Sequence, residues 1–83
     1  MATVMAETLK LSYDAEGDIL YLESVQPYAE QGSTEIGDGI VARLNPQGRA
    51  IESLEILGFS RRFAALGDRL TLPVHIEMRE LPG

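Results

Sequence analysis

Residues 13–22, Tyr-Asp-Ala-Glu-Gly-Asp-Ile-Leu-Tyr-Leu, hold the local instruction that most narrows what this chain can fold into. Asp14, Gly17 and Asp18 are turn formers: an Asp carboxylate accepts the backbone amides just ahead of it, and Gly17 takes a positive φ at no steric cost. Before the turn, Leu9, Leu11 and Tyr13 alternate with Thr8, Lys10 and Ser12, the period of a strand with one face in a core. After it, Ile19, Leu20, Tyr21 and Leu22 are apolar at successive positions, which predicts a second strand lying in a sheet covered on both sides. The rest of the chain has to supply those covers.

Residues 23–32 are polar, carry Pro27 and Gly32 and show no clean period, so they read as a connection. A short, mostly polar strand over 33–36 suits a sheet edge, where a long apolar strand invites aggregation. Gly37-Asp38-Gly39 meets the positive-φ demand of a tight hairpin turn, and Ile40, Ala42 and Leu44 share one face of the strand that follows. In Asn45-Pro46-Gln47-Gly48, Pro46 presets φ, Asn45 caps the turn and Gly48 takes the left-handed position, closing another hairpin. Residues 50–57 fit either period; the preceding turn favours an antiparallel strand, with a bulge where alternation breaks between Ile51 and Leu54. Ser60 as N-cap and Gly67 just past the end bracket a helix of under two turns over 61–66. A helix so short needs burial of Phe63 and Leu66, with Phe59, against an open sheet face.

The last segment alternates without a miss: Leu70, Leu72, Val74, Ile76 and Met78 against Thr71, Pro73, His75, Glu77 and Arg79. Alternation predicts a half-buried strand, and Pro73, which cannot donate to a ladder, places it at an edge. The expectation is therefore an α+β chain, mostly β: an antiparallel sheet of β-hairpins, one short helix after the fifth strand and a C-terminal edge strand. The whole of 1–83 reads as one small domain, with 1–7 a frayed leader, 8–67 the core and 68–83 the terminal strand.

Size bears on how such a sheet is completed. A chain of 83 residues buries only about 60% of the surface its unfolded form exposes, which makes a homo-oligomer the expected state. Five large apolar residues on a terminal edge strand offer a surface for that contact. Absence of cysteine removes disulfides, thiolate nucleophiles and cysteine-based zinc sites. Thirteen acidic against seven basic residues, a net charge of −6, argue against nucleic acid and anionic lipid as partners of the bare chain. The first residues lack the basic leader and apolar length of a signal peptide, and no run approaches the roughly 18 apolar residues of a membrane span. A cytoplasmic location without membrane contact is expected.

Chemistry-bearing residues are few. Asp14, Glu16 and Asp18 sit two apart like the opening of a calcium loop, yet glycine comes at the fourth position and Val25 stands where a bidentate Glu is needed. Turn formation is the simpler account, with divalent-metal or small-ligand binding through this turn the alternative. Glu52 with Glu55, or Glu35 with Asp38, are pairs any acidic chain contains. His75 is the single histidine and lies on the polar face of the predicted last strand, with no Ser or carboxylate spaced as a triad. No enzyme and no cofactor are expected. Arg61, Arg62 and Arg69 put three of the seven basic residues around the short helix. The first two oppose the helix dipole, so they serve something other than helix stability, such as an acidic partner surface. Arg61, Arg62, Leu72, Val74 and Ile76 are the candidate partner-binding residues.

The opening Tyr-Asp-x-Glu-x-Asp-x-Leu-Tyr of residues 13–21, followed by Gly39-Ile40-Val41, Gln47-Gly48-Arg49 and Ile51-Glu52-Ser53-Leu54-Glu55-Ile56-Leu57, resembles the small prokaryotic family called domain of unknown function 2283. The likeness spans residues 9–63. It implies a compact sheet of β-hairpins followed by a short helix, and it transfers no catalytic residue. Some members are paired with small toxin-like proteins, which implies a regulatory or antitoxin-like role and a small protein partner.

Overall fold

The computed structural model describes residues 8–67 and 69–82. The leader expected over 1–7 lies outside them, as do Asp68 and Gly83 of the expected terminal strand. Five strands come in chain order: β1 (Lys10–Asp14), β2 (Ile19–Glu23), β3 (Gly32–Gly37), β4 (Ile40–Leu44) and β5 (Ile51–Leu57). One helix, α1 (Phe59–Ala65), follows them. All pairings are antiparallel in a single sheet of order β1-β2-β5-β4-β3, so β1 and β3 are its edges. This is the mostly β arrangement of hairpins and one short helix that alternation and turn chemistry predict. No helix of the described residues is long and apolar enough to cross a membrane.

Register decides which side chains share a face. Leu11 faces Leu22 and Tyr13 faces Leu20; Leu20 and Leu22 face Ile56 and Leu54; these in turn face Ile40 and Ala42. Side chains of directly paired residues project to the same side, so all of these residues lie on one face. The buried apolar residues are Ile40, Ala42, Leu44, Leu54 and Ile56, every one of them on β4 or β5. The core therefore sits under one half of the sheet. The other face carries Lys10, Ser12 and Asp14, then Glu23, Glu55 and Arg43, with Ile19 and Tyr21 among them. Arg43 donates to Glu55 across it at 2.9 Å. β2 is consequently half-buried along its length and not enclosed on both sides. Its Ile19 and Tyr21 sit on the polar face, and that corrects the reading of four successive apolar residues.

The predicted bulge in β5 is present: Leu44 pairs with Ile51 while Arg43 pairs with Ser53, leaving Glu52 as the extra residue. The helix starts earlier than expected. Gly58, left-handed at φ 64°, holds the N-cap position, with no capping side chain of its own, so Ser60 is not the N-cap. Gly67, at φ 68°, ends the helix as predicted. Asn45 Oδ1 accepts the amides of Gln47 and Gly48 at 2.9 and 3.1 Å, the predicted cap, but the left-handed residue of that turn is Arg49 at φ 58° and not Gly48. Gly39 is left-handed at φ 72°, and the Arg62 guanidinium packs where its Cβ would stand, so a side chain there is refused twice over.

Gly17 departs from expectation in an instructive way. The positive φ of the first turn belongs to Asp18, at 56°, and not to Gly17. Asp14 Oδ1 accepts the amides of Glu16 and Gly17 at 3.1 and 3.2 Å, and a Cβ on Gly17 would stand 2.8 Å from Asp14 Oδ2. Glycine is needed here for room. Gly17→Val is expected to lower stability by about 1 kcal/mol by pushing away the carboxylate that closes the turn, while Glu16→Gln leaves stability unchanged. Paired urea melts of the two variants check it; equal midpoints would mean the turn tolerates a side chain.

The largest correction concerns the C-terminal edge strand. Among the described residues, 69–82 form no strand. Pro73 lacks an amide hydrogen, and the amide of Val74 turns back to Leu72 O at 2.8 Å, so two successive donors are lost to any ladder. Leu72 and Val74 instead pack on the cluster of Ala42, Leu44 and Leu54, with Pro73 against Gly37 of β3. The segment covers the β4 and β5 half of the core face as an extended strap.

Candidate interaction surface

Two acidic residues of the opening motif, Asp14 and Asp18, hold local structure together. Asp14 closes its own turn through the two amides just named. Asp18 reaches across 42 residues to the start of α1: its carbonyl accepts the Phe59 amide at 3.0 Å, Oδ1 accepts the Ser60 amide at 3.0 Å, and Oδ2 accepts the Ser60 hydroxyl at 2.9 Å. The Tyr13 hydroxyl donates to Asp18 Oδ1 at 2.5 Å, and the Tyr13 ring meets Phe59 edge-on at 6.0 Å. Phe59 stacks on Phe63 at 5.3 Å. A helix of seven residues with no acid in its first turn thus receives both a cap and a negative charge from the β1–β2 turn. The Tyr13 hydroxyl, then the Ser60 amide, hold the Asp18 carboxyl below its ordinary value, and the same bond to Asp18 raises the Tyr13 phenol.

Glu52, the bulged residue of β5, organises the β2–β3 connection. Its Oε1 accepts the Tyr28 hydroxyl at 2.7 Å and Gln31 Nε2 at 2.9 Å; its Oε2 accepts Asn45 Nδ2 at 3.1 Å. Its backbone carbonyl accepts the amides of Ser24 and Val25 and the Ser24 hydroxyl. Burial pushes the Glu52 carboxyl up, but the donors from Tyr28, Gln31 and Asn45 together outweigh it and leave it lowered. The Tyr28 phenol, bonded to that carboxylate, is pushed up to about 12. Glu35 accepts the Gly39 amide at 3.0 Å and Glu55 takes Arg43, so neither Glu52 with Glu55 nor Glu35 with Asp38 forms a working pair. Among the described residues no three His, Asp or Glu side chains converge.

The candidate partner residues fall in different places. Arg62 is tied down, donating from Nε to Leu57 O at 3.2 Å. Arg61 is exposed at the rim of an open depression of about 440 Å³, also lined by Asp38, Leu57, Gly58 and Arg62. Leu72 and Val74 lie on the chain's own core, whereas Ile76, 59% exposed, and His75 face outward. The described structure does not bring the five together as one surface.

The apolar surface left over lies on β1. Leu9, Leu11 and Tyr13 are 47%, 63% and 47% exposed, although Leu11 and Tyr13 stand on the core face. The strand is exposed at all five positions. β3, the other edge, is rich in Gly and polar residues and irregular between Glu35 and Gly37, devices that discourage strand addition. β1 has no proline and its register against β2 is unbroken. Alternation alone places Leu9, Leu11 and Tyr13 in a core; among the described residues the seven-residue helix and the strap carrying Leu72 and Val74 leave the β1 side of that face uncovered.

A family model described as "Protein of unknown function (DUF2283)" matches residues 10–60, from the start of β1 into the first turn of α1. The matched stretch contains both carboxylate clusters. No curated protein and no solved structure matches the chain.

Proposed function

We propose that this chain, which belongs to the DUF2283 family of proteins of unknown function, is a non-enzymatic protein-interaction module that works as a homo-oligomer. The observation that carries the reading is the lopsided core: five buried apolar side chains among the described residues, all on β4 and β5, with Leu11 of the same face 63% exposed on β1 and Tyr13 beside it 47% exposed despite its contact with Phe59. Exposed apolar side chains on an unprotected edge are a liability unless another polypeptide covers them. The carboxylates support the reading from the other side. Asp14, Asp18 and Glu52 are engaged with turn amides, the helix start and the β2–β3 connection, where they stabilise the scaffold. A ligand that used Asp18 in this turn would have to compete with the Tyr13 and Ser60 donors on both of its carboxylate oxygens. A regulatory or antitoxin-like role uses a module of this kind, small, acidic and competent to bind protein.

Light scattering on the full chain, behind size exclusion at micromolar concentration, tests the proposal. The expected mass is at least twice that of one chain. A single-chain mass at all concentrations up to about 1 mM, where even weak specific complexes form, would overturn it.

A further inference from the structure

We infer that the second copy adds to the edge of β1, antiparallel to β1 of the first, with Ser12 of each chain on the two-fold axis. This deepens the reading of the chain as a self-associating module and rests on it.

The strand Lys10-Leu11-Ser12-Tyr13-Asp14 is complementary to itself when reversed. In that register Lys10 stands opposite Asp14 of the second copy, Leu11 opposite its Tyr13, and Ser12 opposite its Ser12. Opposite charges and apolar–aromatic neighbours are the pairings that stabilise adjacent antiparallel strands. A two-fold axis makes each contact occur twice, as an isologous interface requires. Face is conserved as well. Leu11 and Tyr13 lie on the core face and Lys10 and Asp14 on the polar face, so one continuous ten-stranded sheet would set two Leu11 and two Tyr13 side chains side by side. Asp14 has an oxygen to give: Oδ1 holds the turn amides, and Oδ2 accepts no hydrogen bond among the described residues. A slip of two residues, centring the axis on Leu11, would put Lys10 opposite Ser12 and Asp14 opposite Thr8, and both ion pairs would be lost. A slip of one would turn the apolar stripe of one copy to the polar face of the other. A slip of two the other way, centring the axis on Tyr13, would set Leu11 opposite Ala15 and Lys10 opposite Glu16, both in the turn past the end of β1. Alternation, charge and strand length thus select the same register, and the occupant is another copy of this chain.

The chain has no cysteine, so an introduced thiol reports without background. Paired positions in an antiparallel ladder have Cβ atoms about 4.5–5.5 Å apart, close to the spacing a disulfide needs. Ser12→Cys is expected to cross-link to a covalent dimer under mild oxidation at least tenfold faster than Leu11→Cys. Lys10→Glu, at an exposed position, is expected to abolish the dimer seen by light scattering while circular dichroism stays that of the folded chain. Should Lys10→Glu fail to fold, the cross-linking rates decide by themselves. An unaltered chain that is dimeric, with Ser12→Cys no faster than Leu11→Cys, would overturn the β1 register and leave self-association standing. A strictly single-chain mass would overturn both.

Discussion

Replacing Ile56 with Ala is expected to lower the unfolding free energy by about 3 kcal/mol, the largest stability loss of any single truncation in this chain. Ile56 is 1% exposed on the central strand β5, opposite Leu20 of β2 on one side and Ile40 of β4 on the other. Three strands therefore border the cavity its removal leaves. Neighbouring β-strands cannot close in without breaking ladder hydrogen bonds, so the lost contacts are not regained. A domain of this size sits near the low end of the usual 5–15 kcal/mol of stability, and the loss would remove about half of it. In thermal melts the midpoint should fall by roughly 15 °C. Leu57→Ala is the internal comparison: one residue along and on the polar face, 38% exposed, it should cost about 1 kcal/mol. Equal melting shifts for the two variants would mean that the buried half-sheet is not where stability resides.

The contrast between neighbouring residues shows what was legible beforehand. Turns could be read because their chemistry is local: Asp14 and Asn45 bind amides two and three residues ahead, and Gly39 and Gly67 take the left-handed positions assigned to them. The hairpins place β1 beside β2 and β4 between β3 and β5, but the join of β2 to β5 in the middle of the sheet is non-local and does not follow from them. Long-range bonds were not legible. Nothing within ten residues of Asp18 says that its carboxylate reaches Ser60, and Glu52 draws Tyr28, Gln31 and Asn45 from both sides of the sequence. The terminal segment misled because alternation records which residues are apolar and says nothing of whether an amide is free to pair. At Pro73 and Val74 neither is, and the same apolar spacing that suits a strand also lets Leu72 and Val74 lie along a core.

Changing Asp18 to Asn is expected to lower the melting temperature at pH 7 by roughly 5 °C, as loss of a charged helix cap does in a domain this small. Asn is the informative replacement because it tolerates the left-handed φ of 56° that Ala would resist, so backbone strain stays out of the comparison. Its amide nitrogen cannot accept the Ser60 hydroxyl, and it brings no negative charge to the start of α1. The dependence on pH follows from the same contacts. The bond from Tyr13 foremost, then that from the Ser60 amide, lower the folded carboxyl below the ordinary 3.8, so the unfolded chain takes up the proton first as pH falls. Stability from Asp18 is therefore complete above that ordinary value and is lost as pH drops through the folded one. Glu52, lowered as well, adds a slope of the same sign that the variant keeps. The unaltered chain should lose stability more steeply than Asp18→Asn between pH 5 and pH 3, roughly the span over which Asp carboxyls titrate, and the two should converge at the acid end. Hydrogen exchange locates the effect: the Ser60 amide should lose protection at pH 7 while the β4 and β5 amides keep theirs, since the helix start opens without the sheet. Parallel melting curves at every pH would show that the carboxylate is a bystander at the start of α1, and that Phe59 and Phe63 hold the helix on their own.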